Sequence, residues 1–226
     1  MGGKVFVVIP AFNEEKSIAK VILNLRAGGY KNIVVVDDGS RDLTYSVAKK
    51  AGAAVLRHII NRGQGAALRT GIEYALLKGA DIIITFDADG QHSINDLRAL
   101  ISPVAKGEVD ITLGSRFLGK KSNVSFFKAL TLKGGALIFR IMYGIALTDS
   151  HNGLRAMSAA AAKAIDLSSD KMEHASEIPE KIAKKKLRFK EIPVTIKYTE
   201  YSTADGQTSL AAFKIFFRMI ARKLMR

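Results

Sequence analysis

The sequence of 226 residues contains no cysteine, which excludes disulfide bridges and metal sites built from thiolates. No secretory signal precedes the first apolar stretch, which starts at Lys4, and Phe6 stands where a myristoylation signal requires serine or threonine. The sequence also lacks internal repeats and low-complexity tracts. We therefore expect one globular domain with a sizeable core and a cytoplasmic location.

The sequence has no uninterrupted apolar run of about 20 residues, the length that a membrane-spanning helix needs. Its most apolar segment, residues 126–147, is interrupted by Lys128, Lys133, Arg140 and a pair of glycines. A charge near the middle of an apolar run disfavours a position inside the bilayer. The segment therefore predicts one or two amphipathic helices.

Charge is distributed unevenly within a formal net charge of +14. Residues 1–113 contain 14 Lys and Arg against 12 Asp and Glu, whereas residues 114–226 contain 21 against 9. A positive field in the second half attracts anions such as nucleic acid, acidic lipid headgroups or phosphorylated substrates. No nucleic-acid recognition motif accompanies the charge, so we predict no nucleic-acid partner.

Apolar stretches alternate with helical patterns through the first half of the chain. This order predicts an α/β fold with a mostly parallel central sheet flanked by helices, similar to a Rossmann fold. A polar loop is predicted at residues 149–157, a helix ends at the lysines 184–186, and a late strand is predicted at residues 189–198. The predicted strands of the first half are 4–10, 32–36, 53–57, 82–86 and 110–113, and the predicted helices are 14–27, 43–51, 64–78 and 94–106.

Three polar clusters follow predicted strands, at residues 10–15, 37–40 and 87–92. Ligands of open parallel sheets bind at the carboxyl ends of the strands, so three clusters at one edge predict a binding site.

The third cluster has the spacing Asp87, Asp89, Gln91, which places three oxygen donors on one side of an extended segment. Two ionised carboxylates held close together repel each other unless a cation lies between them. Oxygen ligands that do not enclose the ion are typical of Mg²⁺ or Mn²⁺ sites. The alternative is a pair of solvated aspartates in a turn.

The last segment, residues 209–226, has the sharpest helical pattern, because Lys214, Arg218, Arg222 and Arg226 recur every four residues. A basic amphipathic helix of this kind is typical of a membrane surface. The alternative is a helix that packs its apolar face on the core.

Five motifs occur in one order: residues 8–15 (VIPAFNEE), 37–40 (DDGS), 61–71 (NRGQGAALRTG), 87–92 (DADGQH) and 114–116 (GSR). Together they resemble family 2 of the inverting glycosyltransferases, and within it the dolichyl- and undecaprenyl-phosphate sugar synthases, over about residues 4–200. The resemblance implies a single GT-A domain over residues 1–226. It would have a nucleotide-sugar-binding half (1–116), an acceptor-side half (117–208) and the C-terminal helix.

The resemblance also implies roles for individual residues of the donor side. Asp38 would read the base or ribose, with Asp37 beside it, although both could simply build a turn with Gly39. The residues implied to bind the nucleotide sugar are Pro10, Ala11, Asn13, Glu14, Asp37, Asp38, Gly39, Gly63, Gly65, Arg69 and Asp87. The residues implied to hold the metal, Mg²⁺ or Mn²⁺, are Asp87, Asp89 and Gln91.

The implied catalytic residues are Asp89, Arg116, Asp149 and Arg155. Arg116 would meet the acceptor phosphate, since its planar fork suits a phosphate. Asp149 would act as general base for a hydroxyl acceptor, or would align acceptor and sugar. Residues 149–153 could instead form a helix-capping loop, and Arg155 could pair structurally with Asp149. Glu177 is a weaker candidate, and His92 and His174 are expected to be packing or hydrogen-bonding residues.

The implied activity is transfer of a hexose-type sugar from a UDP- or GDP-sugar to a polyprenyl phosphate. The enzyme would lie peripherally on the inner, cytoplasmic face of the cell membrane. Attachment would use the amphipathic segments on the membrane surface or a small membrane-protein partner. The alternatives are a transferase that acts on a saccharide hydroxyl, and a nucleotide-sugar-binding subunit without turnover.

Overall fold

The computed structural model describes residues 3–118, 144–149 and 152–196 of the chain. The basic helix predicted at residues 209–226 lies outside this part. The same holds for the amphipathic segment predicted at 126–147, except for its last four residues, which form no helix.

A seven-stranded sheet organises the described part of the chain, in the order β3-β2-β1-β4-β6-β5-β7. All strands run in one direction except β6, which is antiparallel to both β4 and β5. The predicted mostly parallel sheet is therefore confirmed. The strands are β1 (Val5–Ala11), β2 (Asn32–Asp37), β3 (Ala54–Arg57), β4 (Ile82–Thr85), β5 (Ile111–Ser115), β6 (Arg155–Ser158) and β7 (Phe189–Pro193).

Helices cover both faces of this sheet. The first begins four residues later than predicted, because Asn13 has a positive φ of 56° and residues 15–17 form a turn. A 3₁₀ turn at Ile94–Asp96 precedes the fourth helix. The helices are α1 (Ile18–Ala27), α2 (Thr44–Lys50), α3 (Gln64–Leu77), α4 (Leu97–Ala105), α5 (Ala159–Ile165) and α6 (His174–Lys184).

Strand β6 corrects the polar loop predicted at residues 149–157. Arg155, Ala156 and Met157 pair with β4 on one side and with β5 on the other. The prediction was wrong here because a four-residue strand beginning with arginine shows no apolar alternation. Its position between two buried strands, rather than its own propensity, makes it a strand.

Alternating side chains of the strands divide the core into two layers. Val7 and Ile9 of β1 pack in the layer that contains α1 and α4, and Phe6 and Val8 pack in the layer that contains α3, α5 and α6. Because six strands share one direction, their carboxyl ends meet at one edge of the sheet. No helix among the described residues is long and apolar enough to cross a membrane.

Gly71 allows α3 to approach β1 closely. A Cβ at this position would collide with Val8 Cγ1 and would lie 3.2 Å from Val36 Cγ2. We expect Gly71→Ala to lower the free energy of unfolding by about 1–2 kcal/mol, because overpacking outweighs the gain in helix propensity. Urea denaturation measures the change, and Glu73→Ala on the exposed face of α3 is the matched control. Equal stability of Gly71→Ala and wild type would contradict this packing.

Candidate active site

The edge formed by the carboxyl ends of the strands collects the predicted site residues. The loops after β1, β2 and β4 carry Asn13, Asp38 and Asp87, and Arg116 directly follows β5. Since β6 is antiparallel, it begins at this same edge, and Arg155 is its first residue. The structure thus brings the donor-side and acceptor-side candidates to one edge.

Asp87 is held by two side chains. Gln64 Nε2 donates to Oδ1 at 3.2 Å, and His92 Nε2 lies 2.8 Å from Oδ2. Gly153 packs so closely on the carboxylate that a Cβ there would lie 2.6 Å from Oδ1. Burial raises the pKa of Asp87, but the hydrogen bond and charge of His92, with the charge of Arg155, outweigh it and hold the pKa below its ordinary value.

The pKa of Asp89 is shifted in the opposite direction from that of Asp87. Burial and the neighbouring charge of Asp87 raise the pKa of Asp89, although its Oδ1 accepts a hydrogen bond of 2.9 Å from Gln91 N. Two close carboxylates with diverging pKa values repel each other, and a cation between them would relieve the repulsion.

The donor atoms at this position suit a metal that keeps open coordination positions. Within residues 3–118, 144–149 and 152–196, no group of three or more His, Cys, Asp or Glu side chains surrounds a common point. Asp87, Asp89 and the Gln91 amide stay the predicted metal ligands, and they would supply an incomplete oxygen shell. Such a shell fits Mg²⁺ or Mn²⁺, which readily share coordination with phosphate oxygens and water.

The loops after β1 and β2 are tied together by hydrogen bonds. Asn13 N donates to Ser40 Oγ at 2.9 Å, and Asn13 Oδ1 accepts from Arg41 N at 3.0 Å. Glu14 N donates to Thr44 Oγ1 at 2.7 Å. Pro10 and Ala11 close β1 immediately before this junction. The predicted nucleotide-binding segment is thus fixed to its neighbouring loop.

Asp38 and Asp37 both turn inward. Asp38 is buried, and its carboxylate contacts His58 Nδ1 at 2.6 Å and accepts from Arg62 N at 3.0 Å and Gly63 N at 2.7 Å. Asp37 Oδ1 accepts from Ser40 N at 3.0 Å. The contacts of Asp38 hold the loop of residues 58–63, whereas the contact of Asp37 with Ser40 lies within residues 37–40. The Asp37 contact supports the structural alternative of a turn with Gly39, and reading of the base by Asp38 stays a prediction.

The glycine-rich segment meets a loop that sequence reasoning missed, residues 167–171. A Cβ on Gly63 would lie 2.5 Å from Asp170 O, and a Cβ on Gly65 would overlap Ser169 O. Ala66 N, in the first turn of α3, donates to Asp170 O at 2.9 Å. The two glycines are therefore needed for this close approach. Their contact with a donor stays a prediction.

Arg69 and Glu177 hold the loop 167–171 from two sides. Arg69 Nη2 donates to Asp170 Oδ1 at 2.8 Å, so its guanidinium is engaged with this loop, and its contact with a donor stays a prediction. Glu177 accepts from Ser168 N and Ser169 N, both at 2.8 Å, and pairs with Lys181 at 2.6 Å. The resemblance implies Glu177 only as a weaker site candidate, and no sequence pattern connects it with this loop.

The lowered pKa of Glu177 predicts that the stability of the fold depends on pH. Burial acts to raise the pKa of Glu177, but the bonds from Lys181, Ser168 and Ser169 lower it to about 2. A lowered pKa stabilises the fold above the unfolded value of about 4.5, and this contribution is lost as the pH falls from there towards 2. We expect Glu177→Gln to cost about 2 kcal/mol at pH 7. The difference from wild type should shrink below pH 4.5, measured by urea denaturation at each pH. A difference that stays constant from pH 7 to pH 3 would contradict the assignment.

Arg116 and Asp149 form a bidentate ion pair. Arg116 Nε donates to Asp149 Oδ2 at 2.7 Å, Arg116 Nη2 donates to Oδ1 at 2.9 Å, and the Arg116 backbone N donates to Oδ2 at 3.1 Å. The Asp149 side chain is 0% exposed and the Arg116 side chain 12%. A fork-to-fork pair of this kind fixes the plane of the guanidinium.

Arg155 lies buried near both halves of the site. Burial lowers the pKa of Arg155 to about 10, while the charges of Asp87 and Asp149 act to raise it. It therefore stays positive at neutral pH. Its Nη1 has no hydrogen-bond partner among the described residues. The charges of Asp87 and Asp149 act on Arg155, and the structural pairing of Arg155 with Asp149 stays a prediction.

His174 behaves as a buried hydrogen-bonding residue. Its Nδ1 lies 2.8 Å from Lys171 O, and burial, with the charge of Arg155, lowers the pKa of His174 to about 4. The ring is neutral at pH 7. His92 packs edge-on against Phe86 with the ring centroids 5.4 Å apart.

The candidate site lies at the carboxyl ends of the strands, where open α/β sheets bind their ligands. Residues 6–166 match the model of glycosyl transferase family 2. The chain belongs to this family and is a glycosyltransferase.

Two curated relatives match nearly the whole chain, and a third matches 73% of it. An uncharacterized protein of Methanocaldococcus jannaschii is 48% identical over 98% of this chain and 93% of its own length. The UDP-N-acetylglucosamine–dolichyl-phosphate N-acetylglucosaminyltransferase of Methanococcus voltae is 36% identical over 97% and 96%. The undecaprenyl-phosphate mannosyltransferase of Micrococcus luteus is 34% identical over 73% and 70%.

Solved structures support the fold. Glucosyl-3-phosphoglycerate synthase of Mycobacterium tuberculosis superimposes with a TM-score of 0.69 over 96% of this chain and 80% of that chain, at 20% identity. The same enzyme in complex with Mn²⁺, UDP-glucose and phosphoglyceric acid gives a TM-score of 0.66 over 96% and 79%, also at 20% identity. These similarities establish the GT-A fold.

Proposed function

We propose that this enzyme transfers a hexose-type sugar from a UDP- or GDP-sugar to a polyprenyl phosphate at the cytoplasmic face of the membrane. The names of the relatives from Methanococcus voltae and Micrococcus luteus support a dolichyl or undecaprenyl phosphate as acceptor. The first of these names also supports UDP-N-acetylglucosamine as the donor to test first.

The ion pair between Arg116 and Asp149 is the observation that carries the choice of acceptor. Both oxygens of Asp149 accept hydrogen bonds from Arg116, and the carboxylate is buried. A saccharide hydroxyl needs a base within reach of its proton, whereas a phosphate is already anionic and needs only to be positioned. Because the Asp149 carboxylate orients Arg116, it is suited to positioning a phosphate rather than to removing a proton from a hydroxyl.

The two halves of the site would have different roles. The loops after β1 and β2, with the glycine turn before α3, would bind the nucleotide, and Arg116 would attract and orient the acceptor phosphate. Arg155 would keep positive charge beneath the site and balance Asp87 and Asp149. Mg²⁺ or Mn²⁺ held by Asp87, Asp89 and Gln91 would stabilise, as a Lewis acid, the negative charge that develops on the departing diphosphate.

Attachment to the membrane surface would rest on the amphipathic segments predicted at residues 126–147 and 209–226. Two elements combined with attraction to anionic lipid give a firmer attachment than one. A small membrane-protein partner is the alternative means.

Transfer of a radiolabel tests the proposal. The purified full chain is incubated with Mn²⁺ or Mg²⁺ and labelled UDP-GlcNAc, UDP-Glc or GDP-Man, with and without undecaprenyl phosphate in detergent. We expect label in the organic phase only when the lipid phosphate is present. Label on an added saccharide, or nucleotide release that does not depend on the lipid, would contradict the proposal.

A further inference from the structure

Glu191, on the edge strand β7, accepts an unusual concentration of hydrogen bonds from two consecutive residues. Thr148 N lies 2.9 Å from both carboxylate oxygens, and Thr148 Oγ1 donates to Oε1 at 3.0 Å. Asp149 N donates to Oε1 at 3.1 Å. The carboxylate thus fixes the backbone of residues 148–149 against the sheet.

The other described contacts of this segment come from side chains and from the core. Residues 144–149 contain no helix or strand, so no ladder of hydrogen bonds fixes their position. Ser115 Oγ lies 2.6 Å from Thr148 Oγ1, and Leu147 is buried in the core. Without Glu191, the N–H groups of Thr148 and Asp149 would lose the partners that the structure gives them, at a cost that favours rearrangement of the segment.

The position of Asp149 in turn determines the direction of Arg116. The Asp149 carboxylate accepts from Arg116 N, Nε and Nη2, so a displaced Asp149 would release the guanidinium from its plane. We propose that Glu191 is a positioning residue, which aims Arg116 at the acceptor phosphate through the Thr148–Asp149 backbone. This inference rests on the proposed function, because it assigns Arg116 to the acceptor.

The same strand supplies a matched control. At the amino end of β7, Arg188 forms an ion pair with Asp110, with Nη2 2.8 Å from Oδ1 and Nε 3.2 Å from Oδ2. This pair also joins the chain at β7 to that at β5, but it lies at the opposite end of the strands from Arg116. Arg188→Ala therefore removes an ion pair of the edge strand but leaves intact the contacts that link Glu191 to Arg116.

Two variants of Glu191 separate positioning from simple stabilisation. Glu191→Ala should raise the KM for the lipid phosphate by about ten- to a hundred-fold, since misplacement of a binding group by about 1 Å has effects of this size. The KM for the nucleotide sugar should not change. Glu191→Gln should restore part of the acceptor affinity, because a carbonyl at the place of Oε1 can still accept from Thr148 Oγ1 and Asp149 N, whereas an amide at the place of Oε2 would meet Thr148 N as a second donor.

Steady-state kinetics and ¹⁵N NMR of the Arg116 Nε–H group provide the readouts. We expect Glu191→Ala to shift or broaden the Nε–H signal and to raise the acceptor KM, whereas Arg188→Ala changes neither. An acceptor KM of Glu191→Ala equal to that of Arg188→Ala would overturn the proposal. If the wild type transfers no sugar to lipid, the proposed function fails. The NMR measurement still tests whether Glu191 orients Arg116, because an Nε–H signal unchanged in Glu191→Ala would refute that role.

Discussion

Asparagine in place of Asp89 is expected to reduce sugar transfer by roughly a hundred- to a thousand-fold, because loss of a metal ligand removes several kcal/mol of stabilisation from the departing diphosphate. The same variant should fold normally. Burial and the charge of Asp87 raise the pKa of Asp89, so its ionised carboxylate destabilises the folded state when no cation is present. We expect an unchanged or higher Tm in the presence of EDTA.

Thermal shift with Mn²⁺ separates the metal from other effects of this variant. Wild-type protein should gain thermal stability with added Mn²⁺ and UDP, because a ligand that binds only the folded state stabilises it. Asp89→Asn should lose this gain. Glu108→Gln neutralises an exposed carboxylate in the turn after α4 and should behave as wild type in both assays. Full transfer activity or an intact Mn²⁺ shift in Asp89→Asn would refute the metal assignment.

Lysine in place of Arg116 is expected to raise the KM for the acceptor by about ten- to a hundred-fold, since an ammonium group cannot make the two parallel bonds to Asp149 or present a planar fork to phosphate. Charge is retained, so the buried Asp149 carboxylate keeps a cation nearby. The KM for the nucleotide sugar should stay within a factor of about two. Arg98→Lys, on the exposed face of α4, is the matched control.

A double-mutant cycle with Asp149→Asn distinguishes the two roles considered for Asp149. If Asp149 orients Arg116, the two variants share one defect, and the double variant is little worse than either single one. If Asp149 is a general base, Asp149→Asn lowers kcat in addition, and the effects of the two substitutions accumulate. We expect the first result.

The sequence predicts the sheet well where strands are apolar and buried. Residues 33–36 of β2 and 82–84 of β4 are apolar and buried, as expected for strands covered on both sides. Because these strands are parallel, their carboxyl ends define the edge of the sheet at which the site is predicted. The polar clusters at residues 10–15, 37–40 and 87–92 therefore lie at one edge of the sheet, as predicted.

Other parts depend on contacts that no local pattern encodes. Strand β6 exists because it fits between β4 and β5, and the loop 167–171 is fixed by Arg69, 98 residues from the carbonyl of Leu167 that its guanidinium contacts. The inward direction of Asp38 also depends on a distant partner, the His58–Gly63 loop, which offers donors to its carboxylate. Sequence spacing alone does not distinguish a carboxylate that faces a ligand from one that holds a loop.

The acceptor is the central claim, and a comparison of two lipids tests it most directly. Undecaprenyl phosphate and undecaprenol have the same chain and differ in the phosphate that Arg116 would bind. With labelled donor and Mn²⁺ at saturating concentrations, the account predicts transfer of label to undecaprenyl phosphate and none above background to undecaprenol. Equal transfer to both lipids, or transfer to undecaprenol alone, would contradict it.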